Sequence, residues 1–283
     1  MERTFIPGEE WLYYKVYCGN RMADLILIDI IKPLTEKLLE NKSIDKWFFI
    51  RYSDPKPHLR IRFHCTKNEE IGKVIFDVKN ALEPYVKNSL LWKIQIDTYE
   101  REVERYGKHT IVNSENLFFI DSKYCLELLS TIDDDEILFL LMLKLIDDLL
   151  TEFSFSIEMK QTFTKRQLNA FKREFNSDKD LVKQLSVNFG KIKEKMFTML
   201  ENQTYPIEDL ATLLKNKKEV LKKEVKDIIE LNKKNNNLSI DNLLSSYIHM
   251  MVNRFFRDKQ RLYELVCYDC VYKFYNYLIA SKR

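Results

Sequence analysis

Residues 47–65, Trp-Phe-Phe-Ile-Arg-Tyr-Ser-Asp-Pro-Lys-Pro-His-Leu-Arg-Ile-Arg-Phe-His-Cys, hold three arginines and two of the chain's four histidines. Side chains alternate across an extended strand, so His58, Arg60, Arg62 and His64 fall on one face and Leu59, Ile61, Phe63 and Cys65 on the other. One face is core and the other cationic. Arg51 joins the cationic row if the hairpin register permits, and on the strand around Trp92 the polar Lys93, Gln95 and Asp97 lie opposite Trp92, Ile94 and Ile96. Two guanidinium groups on one face repel unless an anion lies between them, and their forked donors suit a carboxylate or an enolate-like oxygen. The plainer reading is a sheet face closed by salt bridges to Asp97, Glu100 or Glu102; spacing alone leaves both open.

Just beyond that strand, Arg101 and Arg105 stand among Glu100, Glu102 and Glu104, where a strand end would deliver side chains to a cleft or form a charged turn. In the helical segment 242–256, Leu244, Tyr247, Ile248, Met251 and Phe255 make an apolar stripe, while Ser246, His249 and Asn253 make a separate polar one. His249 is therefore presented rather than simply packed, although a lone histidine beside an apolar stripe is more often structural. Cys267 and Cys270 have the C-x-x-C spacing without a second ligand pair, inside an apolar helical run, which reads as structural thiols rather than a zinc or redox site. Five glycines leave no G-x-G-x-x-G or Walker loop, and neither G-x-S-x-G nor H-E-x-x-H occurs.

The elements that must position these residues follow from periodicity. Segments 11–18, 47–52, 58–65 and 91–97 alternate as strands, and Ser53 to Pro57 turns the second into the third as an antiparallel hairpin. Helical spacing covers 22–39, with a kink expected at Pro33, and 69–86, with a cap expected within 66–68. From about 114 the pattern becomes helical throughout: 114–130, 134–152, 156–174, 178–201, 206–232 and 239–279. Asp133 to Glu136 suits a helix amino terminus, and the Lys/Glu-rich stretch 215–234 suits a solvated helix. The fold class is α+β, a mostly antiparallel sheet in the N-terminal part followed by a helical C-terminal part. With no Gly/Ser/Pro-rich linker, residues 1–283 are read as a single domain with two lobes, about 1–113 and 114–283.

The 283 residues, 45% hydrophobic with a net charge of +3, suffice for a core and call for no direct nucleic-acid or membrane partner. Five scattered cysteines, Cys18, Cys65, Cys125, Cys267 and Cys270, suit a reducing compartment, and the amino terminus lacks a signal-peptide pattern, so the expected location is cytoplasmic. The most apolar run, 137–146, is too short to span a bilayer.

The order of Trp11-Leu-Tyr-Tyr-Lys-Val-Tyr17, Trp47-Phe-Phe-Ile-Arg-Tyr-Ser-Asp-Pro55, His58-Leu-Arg-Ile-Arg-Phe63, Thr98-Tyr-Glu-Arg-Glu102 with Arg105-Tyr-Gly107, Phe119-Ile-Asp-Ser122 and His249-Met-Met-Val-Asn-Arg254 resembles the elimination domain at the carboxy terminus of class I lantibiotic dehydratases. The same domain occurs alone as a thiopeptide-type bacteriocin biosynthesis protein. The resemblance runs from about residue 10 to 278 and departs from the family pattern at Lys108, where a second glycine is expected. It implies a lyase that expels glutamate from glutamylated Ser or Thr of a ribosomal precursor peptide, leaving dehydroalanine or dehydrobutyrine. A separate glutamylating dehydratase protein would supply the ester, no cofactor or metal is required, and a homodimer is compatible with the sequence.

By that resemblance the catalytic set is Arg60, Arg62, Arg101 and His249, with His249 as base or acid, the strand arginines on the substrate anion and Arg101 on the glutamyl group. Arg51, His58, Tyr99, Arg105, Asn253 and Arg254 complete the expected substrate contacts. Two other readings stand beside it: a cyclase that joins two dehydroalanines into a pyridine ring with release of the leader peptide, and a non-catalytic precursor-peptide-binding partner.

Overall fold

The computed structural model describes residues 2–201, 204–205, 208–235 and 238–281. The N-terminal part runs β1 (Thr4–Phe5), β2 (Trp11–Tyr17), α1 (Asn20–Leu25), a π-wound segment (Ile26–Ile31), α2 (Lys32–Glu40), β3 (Ile44–Tyr52), β4 (His58–Cys65), α3 (Asn68–Lys87), β5 (Lys93–Asp97) and β6 (Tyr99–Glu100). Helices α4 (Val103–Tyr106), α5 (Ile111–Thr131), α6 (Asp135–Glu152), α7 (Ile157–Glu174), α8 (Lys179–Leu200), α9 (Glu208–Asn235), α10 (Ile240–Phe255) and α11 (Gln260–Ser281) follow. The α+β expectation holds.

The main sheet has the order β3-β4-β2-β5 with antiparallel neighbours, and the expected hairpin pairs Tyr52 with His58. At the position of the expected kink, Pro33 stands in the first turn of α2 directly after the π-wound segment; it lacks an N–H and crowds the carbonyl four residues back. Lys67 stands at the N-cap of α3 without a side-chain hydrogen bond, so the expected cap there is missing. At α6 the acidic cluster does cap, with Asp134 accepting from the N–H groups of Glu136 and Ile137.

The segment 239–279 is two helices rather than one. Phe256 adopts an extended conformation, Lys259 sits at φ 49°, and the ring of Phe256 stacks on Tyr263 at 3.9 Å to hold the corner. The cluster Arg257-Asp258-Lys259 thereby leaves the apolar helical pattern and faces solvent and the cleft described below.

The helical lobe grips the sheet along the outer edge of β3. Ser122 of α5 accepts from the N–H of Phe49 at 3.2 Å, and Arg254 of α10 donates from Nε to the Phe49 carbonyl at 2.9 Å. Two residues along, Asn253 accepts from the Arg51 N–H and donates to the Arg51 carbonyl, both at 2.8 Å. Three side chains thus do for this edge what a fifth strand would do, satisfying backbone groups that burial would otherwise leave unpaired.

Candidate active site

Where this seam ends, a cleft of about 240 Å³ opens between the lobes. Arg51, Tyr52 and His58 reach it from the β3–β4 hairpin, His249 and Asn253 from α10, and Arg257, Lys259 and Arg261 from the corner into α11. His249 is about one-third exposed, and its Nδ1 lies 2.9 Å from Oε2 of Glu264, which is buried. A carboxylate can only accept, so Nδ1 carries a proton, and in the neutral imidazole Nε2 holds the lone pair. Nε2 has no hydrogen-bond partner among the described residues. Arg261 donates to the same Glu264 oxygen at 3.0 Å and pairs with Glu174, holding the carboxylate in place. The result is an oriented imidazole with one free basic nitrogen in a cationic cleft.

Arg51 forms the buried side of that cleft. Its Nε donates to the Arg254 carbonyl at 2.9 Å and its Nη2 lies 2.6 Å from Asp24, whose other oxygen pairs with Arg257. Arg51 is 5% exposed, yet its Nη1 has no hydrogen-bond partner. An unsatisfied buried donor of this kind costs about 1–3 kcal/mol and invites an anion. Cys18 also lines the cleft, but burial pushes its thiol up to about 11, so it stays protonated near neutral pH.

The structure gathers some of the expected residues and disperses others. Arg51 pairs across the hairpin with Leu59 and so stands on the sheet face opposite Arg60, not in its row. Arg60 lies next to the cleft wall: it stacks on Tyr52 at 3.4 Å and donates to His58 Nε2 at 3.2 Å. His58 in turn uses Nδ1 on the Lys56 carbonyl at 2.8 Å, so both its nitrogens are engaged, and burial lowers its pKa.

Arg62 lies away from the cleft, 8% exposed, its guanidinium over the rings of Tyr13 (4.3 Å), Tyr99 (4.9 Å) and Phe48 (5.1 Å). The row of cations is thus not one open face. Arg101 makes two 2.7 Å bonds to the fully buried Glu115, which also accepts from Tyr99 at 2.9 Å. Arg105 is exposed and pairs with Glu102. Arg254 is fully buried and Asn253 uses both amide atoms on β3, so both serve the seam, although Asn253 also borders the cleft. Cys267 and Cys270 are buried in α11, and burial raises both thiols.

Residues 11–275 match the family of lantibiotic biosynthesis dehydratase C-terminal domains. The chain belongs to this family. Nisin biosynthesis protein NisB of Lactococcus lactis subsp. lactis is 36% identical over 134 residues, 47% of this chain and 13% of that protein. The chain spans only 13–24% of the length of the curated relatives it matches. Among solved structures, the tRNA-dependent lantibiotic dehydratase MibB from Microbispora sp. 107891 has a TM-score of 0.68 at 20% identity, over 94% of this chain and 28% of that one. The pyridine synthase TbtD from thiomuracin biosynthesis has a TM-score of 0.64 at 13% identity, over 94% of this chain and all of that one. These likenesses show the fold.

Within this dehydratase-family fold, four cleft-forming residues lie outside the motifs read from the sequence: Asp24, Arg257, Arg261 and Glu264. The last three follow the break after α10. Their signal was the charged run 257–259 inside an apolar helical pattern, together with the i,i+3 spacing of Arg261 and Glu264. Asp24 sits on a short helix and carried no signal. Among the described residues no group of three or more His, Cys, Asp or Glu is arranged to hold a metal, and no helix is long and apolar enough to cross a membrane.

Proposed function

We propose that the chain eliminates glutamate from O-glutamylated Ser or Thr residues of a ribosomal precursor peptide. One observation carries this reading: the free Nε2 of His249, oriented by Glu264, shares a cleft with a buried guanidinium that has an unpaired donor. In this scheme Nε2 takes the Cα proton, the C–H electrons become the Cα=Cβ bond, and the Cβ–O bond breaks to release glutamate as a carboxylate. Negative charge develops on the adjacent peptide carbonyl, and the cations of the cleft stabilise it where it forms. Arg51, which lines the cleft, is assigned to the free side-chain carboxylate of the glutamyl group, the role that Arg101 is unsuited to while Glu115 occupies its fork.

A separate glutamylating protein would supply the substrate. The test is mass spectrometry of a glutamylated peptide incubated with the wild-type protein and with His249→Ala. Loss of glutamate with the wild type, reduced about 10²–10⁴-fold in the variant, is expected of a general base. Undiminished dehydration by His249→Ala removes the residue from the reaction. Turnover of a peptide carrying two dehydroalanines, with none of the glutamyl ester, would point to ring formation instead.

A further inference from the structure

The main sheet has two edges, and the chain treats them differently. At β3 the backbone is closed by Ser122, Asn253 and Arg254. At β5 the inner side pairs with β2, and among the described residues nothing hydrogen-bonds to the backbone groups of its outer side. An open edge is a template for one more strand. The surface beside it is apolar: a groove of about 450 Å³ lies between α3 and β5, walled by Val78, Leu82 and Val86 on one side and Ile94 and Ile96 on the other. Trp92, directly before β5, is 57% exposed and Ile96 is 38% exposed. Exposed apolar side chains grouped in this way mark an interaction surface.

The strand's own sequence says what fits the edge. β5 reads Lys-Ile-Gln-Ile-Asp, which is complementary to itself when reversed. In an antiparallel pair of two copies related by a two-fold axis at Gln95, Lys93 opposes Asp97 of the second copy, Asp97 opposes its Lys93, and each Ile94 opposes an Ile96. The pleat puts both ion pairs on one side of the joined sheet and all four isoleucines on the other, the side of the α3 groove. A shift of one residue would set every isoleucine against a polar residue and lose both ion pairs. A lysine on an edge strand normally repels a second edge, but in this register it is a partner. Lys93 is exposed, and Asp97, although paired with Lys15, keeps 44% of its side chain open, so each can meet a new counterion.

We propose that β5 pairs with β5 of a second copy of this chain, antiparallel about Gln95, joining two four-stranded sheets into one. The pairing uses no residue of the cleft.

Sedimentation velocity over a concentration series reads the oligomeric state, and the wild type should be a reversible dimer. Lys93→Asp puts two carboxylates at each end of the pairing and Asp97→Lys two ammonium groups, so each variant alone should dimerise at least about tenfold more weakly. Mixed in equal amounts, the two restore opposite charges at both ends and should form a heterodimer with the wild-type affinity. Gln95→Cys sets a thiol against its own copy at the axis, within the span that a disulfide bridges, and should cross-link under mild oxidation. Lys93→Cys, about 13 Å from its own copy, should not. The five native cysteines are buried and give no background. Thermal melts check folding; if Asp97→Lys does not fold without its Lys15 pair, the two cysteine variants decide. A wild type that stays monomeric throughout, or a Gln95→Cys that does not cross-link, overturns the proposal. So does a dimer that ignores both charge reversals, or one that the mixture fails to re-form. A monomeric wild type whose binding of a labelled precursor peptide is lost in Lys93→Asp would give the edge to a peptide instead.

Discussion

Glu264→Gln tests the central dyad at its least exposed member. The substitution keeps shape and an acceptor oxygen for the His249 Nδ1–H but removes the negative charge beside an imidazole that becomes positive on taking a proton. A hydrogen bond to a charged acceptor is worth about 1.5–3 kcal/mol. The 2.9 Å contact between an imidazole about one-third exposed and a buried carboxylate belongs to that class. At about 1.4 kcal/mol per decade, kcat should fall about 10- to 100-fold, with KM little changed because Glu264 touches no substrate. Arg261 keeps Glu174 as a partner, so the corner of α11 should persist, which a thermal melt can verify. The assay is dehydration of a glutamylated peptide at saturating concentration, read by mass spectrometry, in a cycle with His249→Ala. Glu264→Gln should cost nothing further once His249 is absent. An equal loss in both backgrounds, or a kcat within twofold of the wild type, refutes the claim that Glu264 acts through the imidazole.

Other substitutions separate scaffold from site. Glu115→Gln leaves Arg101 buried without its carboxylate and should cost about 3–5 kcal/mol of stability by urea denaturation. Asn253→Ala strips both hydrogen bonds from the Arg51 backbone and should cost about 1–3 kcal/mol, again by urea, with kcat falling as the cleft loosens. Burial lowers the His58 pKa below its ordinary 6.5, so the folded chain binds fewer protons there than the unfolded one. Its contribution to stability is present above pH 6.5 and is lost as pH falls through that value towards the folded pKa. His58→Gln should flatten that part of a stability–pH curve measured between about pH 5 and 7. Burial holds Cys267 and Cys270 as thiols, Cys270 pushed up to about 12, so neither should react with a thiol reagent until the protein is unfolded.

Local patterns were legible in the sequence where they depend on period alone. Alternation over 58–65 correctly separates Leu59, Ile61 and Phe63 from His58, Arg60 and Arg62, and the two stripes of α10 fall as expected, apolar residues buried and His249 partly open. What period cannot supply is the partner across space. Hairpin register decides the face of Arg51, and a shift of one residue reverses it. Arg62 and Arg101 look alike as basic residues on or near strands, yet one is stacked among rings and the other is closed by Glu115, fourteen residues on in α5. Glu264 was hidden for a related reason: a helix read as continuous from 239 to 279 does not fold back, and only the corner at 256–259 brings position 264 beside position 249.

That corner and the sheet edge explain why one turn of α10 bears on both fold and cleft. His249 and Asn253 are four residues apart, hence on the same helical stripe. Asn253 grips both backbone polar atoms of Arg51, and the carbonyl of Arg254 accepts from the side chain of that same arginine. The imidazole and the buried guanidinium are therefore located relative to each other by hydrogen bonds to a single residue of β3, not by lobe packing at large. A rotation of α10 that moved His249 would have to break those bonds and leave the β3 edge unsatisfied, a cost of about 1–3 kcal/mol for each buried group. The edge capping that joins the sheet to the helices is thus also what sets the spacing between the proposed base and the proposed anion receptor, which is how short motifs 200 residues apart in sequence can specify one site.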